Sequence, residues 1–140
     1  MLTKEPQISR IEVVHEKDML MRDIKPENYV LGRNENADVI YPIDFGMAKT
    51  FRDRQTKSHV LFDTDVPFCG NVGYSSLNCD LGHAPSRRDD VEAICYTWIY
   101  LLRGSLWHGL KQKPTSAEIK NIPRKSVQRP SKSYARDFRR

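Results

Sequence analysis

One short segment, Arg22-Asp23-Ile24-Lys25-Pro26-Glu27-Asn28, brings together a carboxylate, an ammonium and an amide, and Asp44-Phe45-Gly46 follows sixteen positions after Asn28. Asp23 and Lys25, two apart in a loop, set an acceptor for a hydroxyl proton beside a cation that can stabilise an anion. Asn28 and Asp44 add two hard oxygen ligands, the kind Mg²⁺ takes while keeping water and phosphate oxygens in its other positions. Acid, base and divalent-metal ligands on neighbouring loops point to phosphoryl transfer. Each residue taken singly is an ordinary loop residue. The joint pattern carries the reading.

The elements that must position these groups follow from periodicity and breakers. Ile8, Ile11, Val14 and Leu20 recur at helical spacing, which predicts a helix over Ile8–Leu20. Proline disfavours the helical region for the residue before it, so Lys25-Pro26 should be extended or turning, in a polar loop after that helix. Tyr29-Val30-Leu31 and Val39-Ile40-Tyr41 flank Gly32-Arg33-Asn34-Glu35-Asn36 and predict a hairpin, weakened at its end by Pro42. Residues 47–86 show no sustained period and read as a functional loop. Ser86 can cap a helix through Leu102 that stops at Gly104, and its apolar second half, Ala93–Leu102, predicts a helix buried all round. A short helix over Thr115–Ile122 follows Pro114.

On the segments MRDIKPEN and IDFGMAK the sequence resembles the eukaryotic protein kinases, with their catalytic loop and D-F-G segment, and the Lys-Pro form resembles the serine/threonine branch. IDFGMAKTFRD, GYSSLN, SRRDDVE and RGSLWHGLK are similar to segments of the casein kinase 1 group, and the Ala-Pro before SRR is similar to vaccinia-related kinases. The resemblance runs from about Ile8 to Lys111. It implies an α+β, mainly α, kinase-like C-lobe with a small hairpin and without an N-lobe. The expected extent is 1–113, with 114–140 a disordered basic tail.

The resemblance also implies roles. Asp23 accepts the substrate proton, Lys25 contacts the transferring phosphoryl group of ATP, and Asn28 and Asp44 each hold a Mg²⁺. Asp90 accepts hydrogen bonds from the backbone at Met21 and Arg22; without the resemblance, Asp90 reads as a solvated helix start favoured by the helix dipole. Gly70, Asn71 and Tyr74 belong to the activation and substrate segment. The implied activity is transfer of the ATP γ-phosphate to Ser/Thr hydroxyls of proteins.

Several positions depart from the family pattern. Met21 replaces a histidine, and Asn71 replaces a threonine whose hydroxyl would bond the catalytic Asp and Lys. Gly73 replaces an arginine used for primed substrates, and Leu106-Trp107 is one residue short of Leu-Pro-Trp. No glycine precedes Asp23, and Lys4 and Lys17 are the lysines before it, so the phosphate-covering glycine loop and the ATP-anchoring lysine are not found in these 140 residues. Little activity is expected from this chain alone. The alternative is a non-catalytic interaction module that binds a kinase, scaffold or substrate through the exposed inter-lobe face.

Composition bounds the rest. With 39% apolar and 29% charged residues, the chain can bury one core. The net charge of +5 is concentrated in residues 120–140, where eight basic residues meet one acid, Asp137. That tail reads as solvated; with only Tyr134 and Phe138 interleaved, no nucleic-acid partner is expected. Cys69, Cys79 and Cys95 fit neither a zinc pattern nor a disulfide framework and read as reduced thiols. His15, His59, His83 and His108 read as surface or loop residues. The longest apolar run, ten residues, is too short to span a membrane, and a cytoplasmic or nuclear protein is expected.

Overall fold

The computed structural model describes residues 7–104 and Leu106. The segments expected at 114–140, the helix at Thr115–Ile122, Trp107 and His108 lie outside them. Helix α1 spans Gln7–Glu16, strand β1 Met19–Leu20, β2 Tyr29–Leu31, β3 Ile40–Pro42 and β4 Lys49–Thr50, followed by helices α2 at Leu77–Asp80 and α3 at Arg87–Arg103. The fold is a small α+β arrangement with few helices, small antiparallel sheets and long loops, the expected loop at 47–86 being interrupted by β4 and α2. Two antiparallel two-stranded sheets are present, β1–β4 and β2–β3.

Helix α1 stops four residues earlier than its apolar spacing predicts. Lys17 and Asp18 donate to the Val14 and His15 carbonyls, Asp18 turns left-handed at φ 62, and Met19–Leu20 leaves as a strand against Lys49–Thr50. Asp18 can hold that turn because its buried carboxylate is gripped by Arg52 and by Lys57 at 2.7 Å. Those hydrogen bonds, Lys57 first, hold its pKa below the usual carboxylate range.

The hairpin forms with Val30 opposite Tyr41, its connection tightened into a 3₁₀ turn at Asn34–Asn36. Pro42 ends the ladder opposite Tyr29, where its missing N–H costs least. Helix α3 starts after Ser86, whose N–H and Oγ donate to Asp89 Oδ2 at 2.7 and 2.8 Å, and ends at Gly104 in the left-handed region, φ 71.

The core is Ile11, Val14, Met21, Ile24, Ala93 and Ile94, with Met19 and Tyr29 packed against it. Each fully buried aliphatic side chain contributes about 2 kcal/mol. Met21 is 1% exposed, so an apolar side chain suits the position. The expectation that α3 is buried all round is corrected in its second half. Ala93, Ile94 and Thr97 face the core, whereas Trp98, Ile99, Tyr100, Leu101 and Leu102 are exposed, Leu102 at 85%. α1 covers one side of the helix, and among the described residues nothing covers the last turn.

Candidate active site

Asp23 sits between β1 and a 3₁₀ turn at Pro26–Asn28. Lys25 is fully extended, φ −158 and ψ 160, as a residue before proline must be. This extension directs its ammonium back onto Asp23, and Lys25 Nζ donates to Asp23 Oδ2 at 2.7 Å. The turn brings Asn28 round as well. Its Nδ2 donates to the Asp23 carbonyl at 2.7 Å and to Asp23 Oδ2 at 3.1 Å. Asp23 Oδ1 is buried and, among the described residues, has no hydrogen-bond partner.

Asp44 reaches the same neighbourhood through the hairpin. The Ile43 N–H donates to the Asn28 carbonyl at 3.0 Å, which places Asp44 one residue from that tie. Asp44 is exposed, and its Oδ1 accepts from the Gly46 N–H at 2.8 Å. The Lys25 ammonium senses all of these groups. Its pKa is raised, first by the hydrogen bond to Asp23, against the opposing effect of burial, with the charges of Asp23, Glu27 and Asp44 adding to the rise. Asp23, Lys25, Asn28 and Asp44 thus share one locality.

Two carboxylates at the start of α3 fasten the surrounding loops. Asp90 Oδ2 accepts from the Met21 N–H and Oδ1 from the Arg22 N–H, each at 2.9 Å. Arg22 is left-handed, φ 63, and its Nε donates to the Met47 carbonyl at 2.6 Å, joining the Asp23 loop to the segment after Asp44. Asp89 accepts from Ser76 Oγ at 2.7 Å and from Asn78 Nδ2 at 3.3 Å besides Ser86. Burial pushes the Asp89 pKa up, but the Ser76, Ser86 and Asn78 hydrogen bonds outweigh it and the net shift is downward.

The three residues expected in an activation segment divide. Gly70, with φ 98, lies directly against the Arg22 carbonyl and next to Asp23. Asn71 does not engage Asp23 or Lys25 through its Oδ1, which accepts from the Gly73 N–H at 2.7 Å. Tyr74 is buried edge-to-face on Tyr100, with ring centroids 5.9 Å apart, and burial raises its pKa.

His15 is corrected from surface to half-buried, since its Nε2 lies 2.9 Å from Asp90 Oδ2. The signal was its place one helical turn after Ile11, on the stripe that faces the core. Asp18, Asp89, Ser76 and Ser86 also shape the site's surroundings. Cys69, Cys79 and Cys95 are free thiols, and burial pushes the Cys79 thiol up to about 11. Among the described residues no three His, Cys, Asp or Glu side chains group to hold a metal, so a cation here would rest on Asn28 and Asp44 plus oxygens from elsewhere. No described helix is long and apolar enough to cross a membrane.

No family model matches the chain. Among curated proteins, it is 41% identical over 127 residues to casein kinase I homolog 2 of Schizosaccharomyces pombe, covering 89% of this chain and 29% of that protein. It is 40% identical over 134 residues to casein kinase I homolog 1 of the same organism, covering 94% of this chain and 30% of that protein. The chain therefore spans about three tenths of the length of these relatives.

Proposed function

Because this chain is casein kinase 1-like, we propose that it carries the base-and-metal side of a serine/threonine protein kinase site, on a kinase-type C-lobe extending over residues 1–113. The observation that carries this reading is the convergence of Lys25 and Asn28 on one oxygen of Asp23, with Asp44 close enough to bias the Lys25 ammonium. Lys25 and Asn28 fix Asp23 through Oδ2, and the Asp23 carboxylate is the group to accept the proton of a protein Ser or Thr hydroxyl. Lys25 stays protonated in this setting and would offset charge on the phosphoryl group of ATP as it transfers.

Asn28 and Asp44 fit Mg²⁺ by the chemistry of their donors. The Asn28 amide nitrogen is committed to Asp23, which leaves its carbonyl oxygen for a hard cation, and Asp44 keeps one carboxylate oxygen outside its Gly46 turn. Mg²⁺ bound there supplies positive charge to the phosphate oxygens. Asp90 holds the Met21–Arg22 backbone and so the start of the loop. Without the glycine loop and ATP-anchoring lysine in these 140 residues, turnover by this chain alone is expected to be slow.

The test is a melting curve. Mg²⁺·ATP should raise the melting temperature of the wild type and not that of Asp44→Asn, because ligand binding to the native state stabilises it by mass action. No shift in wild type at millimolar nucleotide would sink the reading.

A specific observation favours a second function. Ile43 and Phe45, at 55% and 46% exposure, flank Asp44 and leave apolar side chains uncovered beside the site, suited to a non-catalytic module that binds a kinase, scaffold or substrate. A chain that sediments as a monodisperse monomer with no co-purifying protein counts against it.

A further inference from the structure

Cys69 and Cys79 line one small cavity together with Arg22, Ser76 and Asp90; its volume, about 20 Å³, holds about one water molecule. Both thiols are free and half-buried. Cys95, the third cysteine, is exposed on α3 and lines neither this cavity nor the larger one beside it.

The backbones that carry the two thiols are both anchored at the start of α3. Gly70, next to Cys69, is pressed on the Arg22 carbonyl, and the Arg22 N–H donates to Asp90 Oδ1 at 2.9 Å. The Cys79 N–H donates to Ser76 Oγ at 3.2 Å, and that hydroxyl donates to Asp89 Oδ1 at 2.7 Å. Adjacent carboxylates of one helix thus keep both cysteines on the wall of one water-sized space. Rotation about χ1 carries a cysteine sulfur by a distance comparable to the width of a water molecule, so side-chain rotation is the motion that closes such a space.

The two thiols differ in access. Cys69 also lines the neighbouring cavity of about 970 Å³, which admits small solutes, and Cys79 does not. Burial pushes the Cys79 thiol up to about 11, so it stays protonated near neutral pH and is not the first to react.

We propose that Cys69 and Cys79 form a redox modification site, a dithiol that a peroxide converts to an intramolecular disulfide. The Cys69 thiolate attacks one peroxide oxygen, the O–O bond breaks, and the departing oxygen leaves as water once protonated, with Cys69 now a sulfenic acid. The Cys79 sulfur then attacks the Cys69 sulfur, the S–O bond breaks, and the hydroxyl leaves as a second water with the Cys79 proton. The two sulfurs lose two electrons and hydrogen peroxide gains them. The bond joins the segment around Gly70 to α2, so an oxidant acts through one covalent link on the backbone that lies against the Asp23 loop. This site goes beyond the phosphoryl-transfer reading and does not rest on it, since the pairing is read by mass and not by turnover.

The test treats the full chain, folded and freed of reductant, with hydrogen peroxide and blocks remaining thiols with iodoacetamide. Chymotrypsin, which cuts at Tyr74 between the two cysteines, then gives peptides for mass spectrometry without reduction. A Cys69–Cys79 link should exceed either intrachain link to Cys95 by about tenfold or more, because the fold holds only the first pair together. Dithiothreitol should return it to two thiols. In concentrated guanidinium the preference should fall to the few-fold that loop length alone gives. Cys95→Ser should leave the yield unchanged, and in Cys79→Ser dimedone should trap the Cys69 sulfenic acid. Links to Cys95 in comparable yield, a wild-type Cys69 that runs on to sulfinic acid unlinked, or a full preference that survives unfolding overturns the proposal. The wild-type map alone decides it should Cys79→Ser fail to fold.

Discussion

Gly70 lies so close to Arg22 that a β-carbon at position 70 would fall 2.3 Å from the Arg22 carbonyl oxygen. No side chain fits at that distance, and φ 98 disfavours one independently. The segment around Gly70 is thus seated directly on the backbone that carries Asp23.

Gly70→Ala is accordingly expected to destabilise the protein by about 3 kcal/mol, combining backbone strain with a steric clash. Gly104→Ala is its control: φ is 71, but nothing among the described residues lies within 4 Å of the added carbon, so only the strain of roughly 1 kcal/mol remains. Urea unfolding of both variants checks the difference; equal losses would mean the contact with Arg22 does not exist.

Acid should weaken the fold through Asp89. Its folded-state pKa is depressed, so the native state holds fewer protons than the unfolded chain at mildly acidic pH. The stabilisation is complete above the ordinary aspartate pKa, about 3.9, and is lost as pH falls through the lower folded value. Asp18, also depressed, acts in the same window. Ser76→Ala, which removes one of the Asp89 donors, should flatten the dependence of the urea midpoint on pH between about 5 and 2. An unchanged slope would show that the Ser76 hydroxyl does not set the Asp89 pKa.

Leu102→Ser tests the exposure of the end of α3. At 85% exposure the side chain contributes little burial, and the substitution should change stability by no more than about 0.5 kcal/mol, measured by urea titration. A loss of about 2 kcal/mol or more would show Leu102 buried in the protein as it exists in solution.

Local chemistry made some of this visible in the sequence. Pro26 forces Lys25 to be extended, and that extension directs its ammonium at Asp23. Ser86 and Gly104 mark the two ends of α3 by the chemistry that starts and stops helices. Other features depend on partners far along the chain. Asp18 ends α1 in a left-handed turn where glycine would have been the usual signal, because Arg52 and Lys57 hold its carboxylate. His15 reads as a surface histidine until Asp90, 75 positions later, is brought against it. The apolar run Ala93–Leu102 carries no information about how many of its faces find a neighbour, and among the described residues only one side does so.

The tie between Arg22 and Asp90 spans 68 positions, and this orders events during folding. A loop that long must close, at an entropic cost growing with the logarithm of its length, before the Arg22 amide acquires its acceptor. During synthesis the ribosome releases Asp23, Lys25 and Asn28 long before Asp90, so the nascent chain carries these three side chains while still lacking the tie that fixes the start of their loop.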